Sequence, residues 1–138
     1  MNELVEHSAR GAAAEAARLL AQGERLKNLW RDVVLQLLDD YTSTLRHRGV
    51  DAAAAMWQDE PELTGEPRVD AALAALAEHL ARRDGWPVPE WALDPVRETV
   101  QWWFVTDLVG LHPRALVESP PSFRKRGVFI TSDALARA

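Results

Sequence analysis

The sequence contains no cysteine. That excludes a disulfide framework, a thiolate zinc site, an iron–sulfur cluster and a cysteine nucleophile. No apolar run reaches the ~18 residues that a membrane-spanning helix requires. Residues 1–23 are rich in alanine but carry Glu3, Glu6, Arg10, Glu15 and Arg18, which is not the pattern of a secretory leader. The expectation is a cytoplasmic protein with no membrane association. The seven glycines are scattered as punctuation, so there is no glycine-rich phosphate loop, and no Gly-x-Ser-x-Gly elbow occurs. Positive charge is also short. The formal net charge is −5, whereas a dedicated nucleic-acid binder draws much of its affinity from neutralising phosphates.

The 138 residues suffice for one domain, or one domain with a helical arm. Apolar residues make up 47% and charged residues 27%, a globular balance. Arginine outnumbers lysine 14 to 2 and alanine reaches 22, a bias of GC-rich bacterial coding. Six tryptophans stand against one tyrosine and three phenylalanines. Tryptophan anchors cores and interfaces through its large apolar area.

Helical spacing dominates the first half. Leu4, Val5, Ala9, Ala12, Ala16, Leu19 and Leu20 predict a helix over residues 3–22, closed by Gly23. Leu26, Trp30, Val33, Val34, Leu37, Leu38, Tyr41 and Leu45 predict a second over residues 24–46, roughly 35 Å long. Asp51 is placed to cap a short helix over residues 52–58. Residues 59–66, acidic and broken by Pro61 and Gly65, form the candidate linker. The expected organisation is an N-terminal helical hairpin over residues 1–58 and a small helical domain over residues 67–138. The apolar stripes of residues 3–48 need a neighbour, whether the second half, a second copy or another protein.

In the second half, Val69, Leu73, Leu76 and Leu80 predict a helix from Pro67 to about Asp84, stopped by Gly85. Pro87 and Pro89 keep the Trp86–Trp91 segment extended. Asp94-Pro95 opens an expected helix to about Val105, with a strand over residues 100–105 as the alternative. Short helices are expected over residues 112–118 and 121–126, and a single short strand over residues 128–130. The fold class is therefore mainly α, with at most one short strand.

Catalytic constellations are not evident. His7, His47, His79 and His112 share no ligand spacing, and Asp39-Asp40 reads as a solvated helix face. No nucleophile, base and oxyanion site assembles, so no enzyme activity, cofactor or metal is expected. The dense basic cluster is Arg124-Lys125-Arg126, preceded by Arg114. It would meet phosphates or an acidic partner, or form a solvated turn. A helix-turn-helix over residues 76–96 is excluded by Pro87, Pro89 and Pro95.

Residues 66–137 carry a further pattern. An Asp70-x-x-Leu73-x-x-x-x-Glu78-His79-Leu80 helix leads into Pro87-x-Pro89-x-Trp91, then Trp103-Phe104-Val105. It ends in Ser119-Pro120-x-x-Phe123-Arg124-x-Arg126-Gly127-Val128-Phe129-Ile130. This resembles a family common in actinobacteria, whose members accompany AbiEii/Men-type nucleotidyltransferase toxins as antitoxins or companion proteins. Relatives often carry an N-terminal helix-turn-helix, where this chain has the expected hairpin. The resemblance implies a non-catalytic protein that binds and neutralises such a toxin. It implies partner-binding roles for Trp86, Trp91, Trp102, Trp103, Phe123 and Phe129, with Arg124 and Arg126 pairing acidic or phosphate groups. The alternatives are a DNA-associated transcriptional regulator acting through Arg114 and the basic cluster, and a helical oligomerisation or scaffold module built on residues 3–48.

Overall fold

A computed structural model describes residues 7–136. The chain is mainly helical, as its apolar spacing predicts. Helix α1 spans Ala9–Ala21. Ser8 caps it, its hydroxyl accepting from the Gly11 amide at 3.1 Å. Helix α2 runs as Leu26–Leu29, a π-helical turn over Trp30–Val34, and Leu35–Arg48. Helix α3 covers Val50–Ala55. Asp51 lies in its first turn rather than at its cap, which is Gly49. The expected contributions of Leu4 and Val5 fall outside the described residues.

Helix α4, Pro67–Asp84, is the centre of the molecule. Proline begins it without losing a hydrogen bond, because the first amides of a helix have no internal partner. Glu66 caps it by accepting from the Arg68 amide at 3.1 Å. Gly85, in a left-handed conformation, ends it. Val69, Leu73, Leu76 and Leu80 are all fully buried, and so are alanines 71, 72, 74, 75 and 77. Small residues at this density let neighbours approach on every side. Ala9, Ala13 and Ala16 of α1 are buried as well. The apolar stripes of the hairpin therefore pack within the chain, in one hydrophobic cluster that continues from Ala9 to Ile130.

Residues 59–66 contain no helix or strand but are tied at two points. The Thr64 amide donates to Asp70 of α4 at 2.9 Å. Arg97, only 1% exposed, donates from Nη2 to the Pro61 carbonyl at 2.6 Å. Its guanidinium carbon lies 5.1 Å from the centre of the Trp91 ring.

The helix expected over residues 95–105 does not form. Asp94 caps a single 3-10 turn, Pro95–Arg97, and the chain then runs extended into strand β1, Trp103–Phe104. The alternative strand is thus the one realised. Beyond it lie helices α5, His112–Glu118, and α6, Pro121–Arg124. Strand β2, Val128–Phe129, pairs parallel with β1, Trp103 opposite Val128 and Phe104 opposite Phe129. The strand expected near residue 128 needed a partner for its backbone groups, and this segment supplies it.

One buried carboxylate joins α4 to the C-terminal segment. Glu78 is 2% exposed. Its Oε1 lies 2.8 Å from both Lys125 Nζ and Arg126 Nη1, and its Oε2 accepts from Arg82 Nε at 2.7 Å. Burial alone would push this carboxyl up, but contacts with Lys125, Arg126 and Arg82 outweigh it and hold the group at about 2. A second polar knot sits in the aromatic cluster of Tyr41, Trp57 and Trp86. The Tyr41 hydroxyl donates to Asp84 at 2.6 Å and accepts from Trp86 Nε1 at 2.8 Å. Burial, together with the Asp84 carboxylate, pushes its phenol up to about 12.

A depressed carboxyl stabilises the fold above its unfolded value, and the benefit fades as pH falls toward its folded value. For Glu78 that window runs from about 4.5 down to about 2. Glu78→Gln strips the buried Arg126 of its counter-ion, and a loss of about 3 kcal/mol at pH 7 is expected in urea unfolding. The variant's stability should also fall less steeply than wild type between pH 4.5 and 2. An unchanged slope in that window would remove Glu78 as the cause.

Candidate functional site: an apolar ridge beside an open strand edge

The eight residues that the resemblance singles out divide sharply. Trp86, Trp91, Trp103, Phe123, Phe129 and Arg126 are all buried. Trp102 and Arg124 are exposed. The six buried residues are core positions in the folded chain, not an exposed interface, and each has a packing reason. Trp103 and Phe123 meet the Trp30 ring edge-on, at 6.0 and 6.2 Å between centroids. Trp86 stacks on Trp57 at 6.3 Å. Trp91 Nε1 donates to the Trp57 carbonyl at 2.9 Å. Phe129 stacks with Phe104 at 5.1 Å.

The basic cluster is likewise engaged within the chain. Lys125 and Arg126 hold Glu78. Arg126 also donates to the carbonyls of Ser122 and Ala92, each at 2.7 Å. Arg124 donates to the carbonyls of Val117 and Ser119 at 2.9 Å. Arg114 pairs with Glu118 at 3.2 Å on the surface of α5.

What remains outside is apolar. Of ten large hydrophobic residues exposed among the described ones, six lie between positions 100 and 117: Val100, Trp102, Leu108, Val109, Leu116 and Val117. Among residues 7–48 there is none. Trp102 is 60% exposed. Its ring lies 4.8 Å from Phe129 and 6.5 Å from Phe104. Phe104 in turn stacks on the His112 ring at 4.3 Å, an interplanar angle of 15°. A continuous aromatic row therefore joins β2, β1 and the start of α5. The His112 ring lies within hydrogen-bonding distance of the Thr106 carbonyl, at 3.1 Å, and an ion pair between Lys27 and Asp107 at 3.3 Å ties this loop to α2.

Strand β1 also has a free side. The Trp103 amide donates to Gly127 and the Val105 amide to Phe129, at 2.9 and 3.2 Å. Backbone direction alternates along a strand, so the amide and carbonyl of Phe104 face away from β2. Among the described residues the sheet has two strands, so no third strand pairs with this edge. Phe104 lies in this strand and Trp102 immediately precedes it.

The ridge was not assembled by sequence reasoning. Val100, Leu108, Val109, Leu116 and Val117 were absent from the expected site, although Trp102 was in it. A signal existed in the run of apolar residues from 100 to 117, whose spacing matches no single helix face. Among the described residues, no three His, Asp or Glu side chains gather to hold a metal ion, and no helix is long and apolar enough to cross a membrane.

The adjacent tryptophans give a direct check. Trp103→Ala opens a cavity against Trp30 and should cost about 3–5 kcal/mol in denaturant unfolding. Trp102→Ala should cost less than about 1 kcal/mol, because its ring is mostly in water already. Equal losses would place both rings in the core. Comparison of the chain with protein-family models, with curated proteins and with solved structures returned no match.

Proposed function

We propose that the chain is a non-catalytic protein-binding protein that docks its partner on the ridge around Trp102. The concentration of exposed apolar side chains over residues 100–117, beside an open strand edge, carries this reading. Exposed large apolar side chains at this density mark interaction sites where they form one patch. An added strand supplies main-chain hydrogen bonds at such an edge, while flanking side chains supply specificity. Trp102 is the anchor, since tryptophan is the residue type most enriched among binding hot spots.

The partner class proposed is a nucleotidyltransferase-type toxin, as the resemblance of residues 66–137 implies. A basic nucleotide- and RNA-binding cleft would be drawn to a chain of net charge −5. Regulation through DNA is the weaker reading. The cations it would use hold Glu78, Glu118 and backbone carbonyls instead.

The test is capture of the partner by tagged protein from its native lysate, compared with Trp102→Ser/Val109→Asp. Wild type should retain one stoichiometric nucleotidyltransferase, and the double variant should retain at least about tenfold less. Circular dichroism and unfolding midpoint should match between the two proteins. Equal retention by both would remove the ridge as the interface. Recovery of the tagged chain alone would remove the toxin partner.

A further inference from the structure

We draw no further inference here: the strongest candidate, the cleft of about 650 Å³ between α2 and α3, is lined by the exposed side chains of His7, Ser43 and Arg48 and by Asp40, whose carboxylate is already held by His7 and Gln36, and nothing in the structure shows what would fill it.

Discussion

The C-terminal half of the molecule is organised around the Glu78 carboxylate. A lone buried charge would cost several kcal/mol, so this one exists only because Lys125, Arg126 and Arg82 surround it. Arg126 passes the constraint onward. Its guanidinium ties α4, through Glu78, to the Ser122 carbonyl in α6 and to the Ala92 carbonyl in the turn after Trp91. Its own carbonyl accepts from the Thr99 amide at 3.0 Å, and the next carbonyl, Gly127, accepts from Trp103. Two residues beyond the ion pair, therefore, the chain is already setting the register of β1 on β2. An apolar cluster at the same place would stabilise as well, or better, but it would not fix direction. The charges and their carbonyl partners admit one arrangement of these segments.

Backbone geometry tightens the same joint. Gly127 has φ +84°, and a Cβ there would lie 2.5 Å from the Thr99 carbonyl oxygen. Only glycine allows the turn after α6 to lie this close to the segment leading into β1. On the other side, Ser119 Oγ donates to the Ala115 carbonyl and accepts from the Ile130 amide at 2.8 Å. That single hydroxyl secures the end of α5 to the end of β2. The ridge is thus a set of short elements, none stable alone, held on α4 by one ion cluster, one glycine and one serine.

Much of the helical frame was legible. The stripes of α2 and α4 repeat at helical spacing because one face of each is covered, and the positions they mark are buried or half-buried. The π turn at Trp30–Val34 was not legible, since one extra residue per turn leaves no mark in an apolar run already dense on that side. The basic triplet misled for a different reason. Its counter-charge is 47 residues away along the chain, and nothing local distinguishes a paired lysine from a free one. Trp102 and Trp103 show the limit most plainly. A strand sends neighbours to opposite faces, so one ring is 60% exposed and the other 6%. Identical residues carry no polarity contrast to reveal that alternation, and the partner strand begins 25 residues later.

The ridge sets its own physical demands on anything that would bind it. The ridge is apolar and adjoins the backbone groups of Phe104 that face away from β2, so it would reward area and shape. Burying the exposed part of Trp102 and its neighbours contributes roughly 25 cal/mol per Å², and the open edge adds direction to that non-directional gain. Left uncovered, the same features favour self-association. Strand length limits that hazard here, because β1 spans Trp103–Phe104 alone and offers too short a template for extended stacking. A partner with apolar surface of its own, a second copy included, would gain from the exposed side chains, whereas the strand edge alone offers any partner two residues.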